Sequence, residues 1–173
     1  MKAQKEYVDL NLSTLNYKEV IGYDGTIISG YIITDDAKVY HAEDDGRFTI
    51  INPYLNTYSN KYKWKNGYYK IRVNKKLYNL HWLLARAFVP GYKIGLVAHH
   101  IDHNSTHNFA NNLEWTTRGQ NVKEFWNSLT EEEMAEYKKN YSKGVKAAHE
   151  KGKYKKHLKE LHNKGDIEWQ ATK

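Results

Sequence analysis

The sequence predicts an α+β fold in three parts: a small β-rich module over residues 1–76, a helix, hairpin and helix over 77–127, and a basic helical tail over 128–173. Three observations support this division. The first part has β-branched and aromatic segments separated by turn dipeptides. The second part has a strand, a polar loop, a strand and a helix in that order. The third part begins at a helix-capping sequence and is rich in lysine.

The N-terminal module is predicted to form a small sheet. Segments 47–51 and 68–73 are rich in β-branched and aromatic residues, which favour strands. In the second segment two basic residues alternate with two apolar ones, so a strand there has one basic and one apolar face. The turn dipeptides suited to hairpins are Asp24-Gly25, Asp45-Gly46 and Asn66-Gly67.

Basic and aromatic residues are interleaved towards the end of this module. The basic residues are Lys61, Lys63, Lys65, Lys70, Arg72, Lys75 and Lys76, and the aromatic residues are Tyr62, Trp64, Tyr68 and Tyr69. This mixture can line a groove of nucleic acid, where cations meet phosphates and rings contact the bases. A small sheet whose aromatic side chains form its core explains the tyrosines and Trp64 equally well.

The central part opens with a short buried helix over residues 80–88, which Pro90-Gly91 ends. Within it His81 and Arg86 are interpreted as packing residues or satisfied polar residues rather than ligands. A strand over 95–101, a loop over 102–111 and a strand over 113–116 follow. Thr117 and Gln120 then fit an S/T-x-x-Q capping box, so a helix is expected to start at Thr117.

The C-terminal part opens with a second capping box at Thr130 and is predicted to be helical to about Tyr141, after which Gly144, Gly152 and Gly165 break it into short pieces. Ten lysines and two glutamates lie between residues 138 and 164, so this segment carries +8 while the whole chain carries +7. Such a basic arm is expected to follow a phosphate backbone. A solvated helical surface is the alternative.

The bulk properties restrict the class of protein. A length of 173 residues suits one compact domain or two small ones with an appendage. The mean hydropathy of −0.86 and the polar N-terminus predict neither a membrane span nor a signal peptide. With no cysteine, the chain has no disulfides and no thiolate zinc sites. We therefore expect an intracellular protein without a membrane partner.

Residues 97–121 combine two adjacent histidines, a turn-rich loop and several asparagines. They resemble the HNH nuclease motif, the ββα-metal fold, in the form found in phage and intron-encoded homing endonucleases. The matching residues are His99, His100, Ile101, Asp102, Asn104, Asn108, Asn112, Leu113, Glu114, Trp115, Thr116 and Asn121. His103 departs from the pattern because glycine is usual there, so the loop is expected to be accommodated differently. Some relatives carry aspartate at the position of His99, and either side chain can be a metal ligand.

The resemblance extends upstream with less specificity, to about residue 17. Segments 20–25, 31–34, 38–40, 67–71 and 80–90 are similar to the N-terminal module often found before phage HNH nucleases. The C-terminal quarter of the chain has no such counterpart.

The resemblance implies that His99 and Asn121 hold one divalent metal ion, with water and DNA phosphate oxygens as further ligands. Nitrogen and oxygen ligands without thiolates favour Mg²⁺ or Mn²⁺, and imidazole also permits Zn²⁺, Co²⁺ or Ni²⁺. His100 would be the general base, and Asn112 would fix its presentation by bridging the loop. Because adjacent strand residues point to opposite faces, ligand and base must sit at a strand end or a bend.

Other polar residues near the motif have less definite roles. Arg118 is the nearest candidate cation for the scissile phosphate, with an ordinary exposed helix arginine as the alternative. His103 and His107 are either loop-surface residues or auxiliary phosphate contacts. Leu113 and Trp115 are expected in the core.

The function that follows is that of a monomeric, site-recognising DNA endonuclease of the homing type, which needs no protein partner and nicks one strand of double-stranded DNA. Predicted DNA-binding residues are Lys63, Lys65, Lys70, Arg72, Lys75, Lys76, Lys143, Lys146, Lys151, Lys153, Lys155 and Lys156. The main alternative is a non-catalytic DNA-binding protein with a decayed HNH motif. A metal-dependent hydrolase of another substrate lacks support, since no H-E-x-x-H or serine-nucleophile motif is present.

Overall fold

A computed structural model of the chain describes residues 5–57 and 67–150. Within these ranges ten strands form three antiparallel sheets, accompanied by three α-helices. The fold is therefore mixed α and β with most strands in the N-terminal half, as the sequence predicts. None of the helices in the described ranges has both the length and the apolar character that crossing a lipid bilayer demands.

The first sheet has five strands. They are β1 (Tyr7–Val8), β2 (Tyr17–Ile21), β3 (Ile27–Thr34), β4 (Val39–Ala42) and β5 (Phe48–Ile51), in the spatial order β1-β5-β4-β3-β2. The predicted Asp24-Gly25 and Asp45-Gly46 turns join β2 to β3 and β4 to β5, with positive φ at both glycines. β5 pairs with β1, so β1 lies at one edge of the sheet.

The second sheet contains β6 (Tyr54–Asn56), β7 (Tyr68–Val73) and β8 (Lys76–Asn79), with β7 in the middle. Ile71 and Val73 are fully buried, whereas Arg72 is exposed and Lys70 is half-buried. The predicted alternation of a basic and an apolar face along β7 is thereby confirmed. Gly67 precedes β7 at a point where a Cβ atom would lie 2.3 Å from the carbonyl oxygen of Asn56, so only glycine fits there.

Helix α1 (Leu80–Phe88) has the predicted bounds and lies at the centre of the core. Its residues Leu83 and Leu84 are fully buried, and they share one apolar cluster with Val20, Ile71 and Leu113. The core therefore joins both sides of the predicted 76/77 boundary. Leu113 is buried as expected.

Two residues of α1 that the sequence assigned to packing lie in aromatic surroundings. His81 is 7% exposed and lies against Tyr68, with ring centroids 5.1 Å apart. The Arg86 guanidinium lies 3.9 Å from the ring centroid of Tyr92. Tyr92 in turn contacts Trp115, which packs against the core and donates to the Val89 carbonyl at 3.0 Å. Both predicted packing roles agree with these contacts.

The motif region continues with β9 (Leu96–His100), β10 (Leu113–Thr117) and α2 (Arg118–Asn127). Thr117 caps α2 by accepting a hydrogen bond from the backbone N–H of Gln120, as the capping sequence predicts. The chain divides into two compact units, residues 1–128 and 129–173. The three-part division of the chain stays a prediction.

In the second unit α3 spans Glu131–Glu150. Its predicted capping box is present, since Thr130 and Glu133 exchange hydrogen bonds. The predicted break at Gly144 is wrong, because α3 continues through it. One glycine costs about 1 kcal/mol in a helix interior, and the neighbouring alanines and lysines favour helix. The predicted breaks at Gly152 and Gly165 lie outside the described residues.

Candidate metal and nuclease site

The two adjacent histidines of the motif lie at the end of β9. His99 pairs with Glu114 across the hairpin, and His100, the last residue of the strand, pairs with Leu113. The expectation that the pair lies at a strand end is thus met. His99 contacts α2, whereas His100 contacts α1 and β7 through His81 and Tyr68. The hairpin therefore presents one imidazole to each side.

His99 is 8% exposed and has an oxygen acceptor at each ring nitrogen. Its Nδ1 lies 2.6 Å from Oδ1 of Asn121, and its Nε2 lies 3.0 Å from Oε2 of Glu124. A neutral imidazole has a single N–H, so it can donate to only one of these oxygens. The other nitrogen and its oxygen then face each other with lone pairs, an arrangement that a cation stabilises.

A second carboxylate lies nearby. Ligand atoms of His99, Glu114 and Glu124 all fall within 4.8 Å of one another. The sequence resemblance placed Glu114 in the motif without a role and did not include Glu124. Two signals would have found them: Glu124 follows Asn121 by three residues on one helix, and Glu114 is the hairpin partner of His99.

The donors around His99 fit a divalent cation. Adjacent ligands of an octahedral magnesium ion with bonds of about 2.0–2.1 Å lie about 2.9 Å apart. The separation of 2.6 Å between His99 Nδ1 and Asn121 Oδ1 is within a few tenths of an ångström of that value. An imidazole nitrogen, an amide oxygen and nearby carboxylates suit Mg²⁺, Mn²⁺ or Zn²⁺.

His100 is buried at 5% exposure. Its Nε2 lies 3.3 Å from Oδ1 of Asn108, and its ring lies 5.0 Å from that of His81. Burial lowers the pKa of His100, and the neighbouring His99 lowers it further, against the raising influence of Asn108 and Asp102. At neutral pH the ring is therefore neutral. Donation from Nε2 to Asn108 leaves Nδ1 as a proton acceptor.

The loop between the two strands is fastened by Asn112 and Asp102. The Asn112 side chain accepts from the Asp102 backbone N–H at 3.2 Å, and it donates to the Asp102 carboxylate and to the His107 carbonyl, each at 3.0 Å. His107 contacts the other Asp102 oxygen at 2.6 Å. Burial opposes ionisation of Asp102, yet hydrogen bonds from Asn112, Asn104 and His107 lower its pKa to about 2.

His103 adopts the left-handed backbone conformation, with a φ of 58°. This conformation is uncommon for residues with a Cβ atom, although histidine tolerates it better than most. It explains why glycine is usual at this position. Here the histidine itself takes up the turn, and its ring lies 5.2 Å from that of His99.

Asn112→Ala is expected to lower the free energy of unfolding by about 1–3 kcal/mol, since it removes three hydrogen bonds that hold the loop, and each such bond contributes about 0.5–1.5 kcal/mol. Urea unfolding followed by tryptophan fluorescence would measure this. Asn111→Ala is the matched control, because Asn111 is the exposed neighbour in the same turn. Equal unfolding midpoints for the two variants would show that Asn112 does not fasten the loop.

Most of the other predicted site residues that the structure describes are exposed basic side chains. Arg118 is the exposed first residue of α2, one turn before Asn121. Arg72, Lys75 and Lys76 are exposed around the β7–β8 turn. On α3, Lys143 and Lys146 are exposed. The remaining predicted DNA-binding residues lie outside the described residues: Lys63, Lys65, Lys151, Lys153, Lys155 and Lys156.

Comparison with known proteins agrees with this geometry. The chain matches no protein-family profile. It is 30% identical over 112 residues to DNA endonuclease I-HmuI of Bacillus phage SP01, covering 62% of this chain and 56% of that protein. The chain thus spans about half the length of the curated relative that it matches.

The fold also has a counterpart among solved structures. It matches the structure that describes DNA binding and cleavage by the HNH homing endonuclease I-HmuI, with 25% identity and a TM-score of 0.52. The match covers 71% of this chain and 66% of the other. The HNH resemblance of the sequence is confirmed: this chain is homologous to the phage HNH homing endonuclease I-HmuI.

Proposed function

We propose that the chain is a metal-dependent DNA endonuclease of the homing type. The observation that carries this proposal is the pairing of His99 Nδ1 with Asn121 Oδ1 at 2.6 Å, next to the buried His100 at the same strand end. The similarity to I-HmuI, named as a DNA endonuclease, supports the choice of substrate.

In the proposed reaction, His99 and Asn121 would hold one divalent cation, Mg²⁺ or Mn²⁺ by ligand preference. When bound, the ion supplies Lewis acidity towards the phosphate and the leaving 3′ oxygen. His100 accepts a proton at Nδ1 from the attacking water. The water oxygen forms a bond to phosphorus as the bond from phosphorus to the 3′ oxygen breaks. Asn112 holds the loop that follows His100, and Arg118 is available to contact the phosphate.

DNA binding is assigned to the basic residues of the sheet and the tail. Arg72, Lys75 and Lys76 form an exposed basic group around one turn, with Lys70 half-buried beside it on β7. Lysines that neutralise phosphates release counterions, which supplies affinity without regard to sequence. The exposed Lys143 and Lys146, together with the lysines that follow in the sequence, would act in the same way.

One such site in each chain would cut one strand, so the product of a monomer is a nick in double-stranded DNA. The protein would act inside the cell in which it is made, where its substrate is. Neither DNA binding nor strand cleavage, as proposed, needs a protein partner.

A supercoiled plasmid tests the proposed function. With Mg²⁺ or Mn²⁺ the protein is expected to convert it to open circles, and EDTA is expected to stop the conversion. His99→Ala and Asn121→Ala should each lower the rate by at least about 10-fold, the order of effect of weakened metal binding. His41→Ala, a substitution on β4 away from the motif, is the control. Metal-independent binding without open circles, on DNA known to contain a bound site, would instead indicate a DNA-binding protein with a decayed motif.

A further inference from the structure

We propose that Glu124 is a positioning residue for the metal site. It holds the proton of His99 on Nε2 and thereby presents Nδ1, beside Asn121, as the metal-binding nitrogen. This inference deepens the proposed function and rests on it, because it assumes that His99 and Asn121 hold a divalent cation.

The first support is the contact between the two side chains. Oε2 of Glu124 lies 3.0 Å from Nε2 of His99, and the two side chains are 27% and 9% exposed. An ionised carboxylate can only accept hydrogen bonds, so Nε2 must donate. In a neutral imidazole Nδ1 then keeps its lone pair. The carboxylate thus selects one tautomer.

The second support is that the carboxylate is itself held. Nε2 of Gln120 donates to the other oxygen of Glu124 at 2.6 Å, one turn earlier on α2. The backbone N–H of Gln120 is fixed by the Thr117 cap. A chain of contacts therefore runs from Gln120 through Glu124 to His99, and each member has its orientation set by the previous one.

The third support is the environment at the opposite nitrogen. With Nε2 protonated, His99 Nδ1 and Asn121 Oδ1 are two acceptors 2.6 Å apart. Neither can donate to the other in this arrangement, and a cation that binds both atoms stabilises it. A carboxylate on the far nitrogen also makes an imidazole a more basic ligand, and loss of such a partner typically lowers metal affinity by about 10–100-fold.

Direct coordination by Glu124 is the competing arrangement. Glu114 and Glu124 both lie near His99, so a cation could bind at Nε2 with these carboxylates. That arrangement requires Nε2 to lose its proton and places the proton on Nδ1. The two arrangements therefore differ in which ring nitrogen carries hydrogen, which a spectrum can report.

Long-range ¹H–¹⁵N correlation spectra of the imidazole rings in the ¹⁵N-labelled protein would decide between the two arrangements. The His99 signals are identified by their absence from the His99→Ala variant, and Zn²⁺ serves as a diamagnetic probe. We expect the proton on Nε2 both without metal and with Zn²⁺, and a Zn²⁺-dependent shift at Nδ1. A proton on Nδ1 in the Zn²⁺-loaded protein would overturn the positioning role.

Calorimetric titration with Mn²⁺ supplies a second readout. Glu124→Ala is expected to weaken Mn²⁺ binding by about 10–100-fold. Glu124→Gln keeps an oxygen acceptor and should lose less. Glu114→Ala is the matched control, since it removes an equal charge from the same cluster, and its effect should be less than a third of that of Glu124→Ala. Equal losses for Glu114→Ala and Glu124→Ala would show a general charge effect and overturn the inference.

Failure of the inference and failure of the proposed function give different results. If the wild-type chain binds Mn²⁺ and nicks plasmid while Glu124→Ala binds Mn²⁺ equally well, only the role of Glu124 is wrong. If the wild-type chain neither binds Mn²⁺ nor nicks plasmid, the proposed function itself is wrong and the role of Glu124 falls with it.

Discussion

His100→Ala is expected to lower the rate of metal-dependent plasmid nicking by ~10²–10⁴-fold, the usual contribution of a general base. The expectation follows from the position of the ring. Nε2 is directed at Oδ1 of Asn108, which leaves Nδ1 to take the proton of water. Because burial lowers the pKa of His100 below its ordinary value, the neutral, proton-accepting form predominates at pH 7.

Loss of activity must be separated from loss of structure, since His100 is 5% exposed and its removal leaves a cavity beside His81. Metal binding by His100→Ala, measured by calorimetry with Mn²⁺, should stay within a few-fold of wild type if the site around His99 is intact. Added imidazole is expected to restore part of the activity by filling the cavity. An undiminished nicking rate in the folded variant would remove His100 from the reaction.

Local sequence signals predicted the elements around the site well. The apolar spacing of residues 80–88 gave the bounds of α1, and Thr117 caps the start of α2 as its capping sequence indicates. Hairpin strands 96–100 and 113–117 differ from prediction by one residue at the ends. These features depend on interactions within a few residues, which is why periodicity and capping patterns are sufficient for them.

Contacts between distant residues were not predictable in the same way. Glu124 meets His99 only because α2 folds back onto the hairpin. Its spacing of three residues from Asn121 marks it as a candidate only once Asn121 is known to face His99. The pairing of β1 with β5 likewise joins residues about forty positions apart. Gly144 shows the opposite error, in which a local breaker signal is outweighed by its helix-forming neighbours.

The region around His100 shows how local sequence signals and contacts between distant residues combine. The motif placed His100 at the site, but its contacts with Asn108, His81 and Tyr68 come from three separate elements. His81 was assigned to packing because it lies in an apolar helix. The structure adds that its Nδ1 is buried without a hydrogen-bond partner among the described residues. Because protonation of His81 would place a charge in this buried position, the free energy of unfolding depends on pH.

The stability of the first unit is expected to fall as the pH drops below about 6.5, and His81 is the main cause. Burial, with a smaller contribution from His100, lowers the pKa of His81 to about 3. The unfolded chain takes up a proton near the ordinary histidine pKa of about 6.5, whereas the folded protein does not until about pH 3. The unfolded state is therefore favoured across this window, by up to about 1.4 kcal/mol per pH unit.

His81→Leu tests this dependence, since leucine has a similar volume and no group that titrates. We expect the variant to match wild type within about 1.5 kcal/mol at pH 7.5, where His81 is neutral in both the folded and unfolded states. At pH 5 the wild type should have lost roughly 2 kcal/mol more of its unfolding free energy than the variant, as measured by urea unfolding at each pH. His100 titrates in both proteins, so most of its contribution cancels in the difference. Parallel curves of unfolding free energy against pH would mean that His81 takes up its proton equally readily in the folded protein, which its burial in the core opposes.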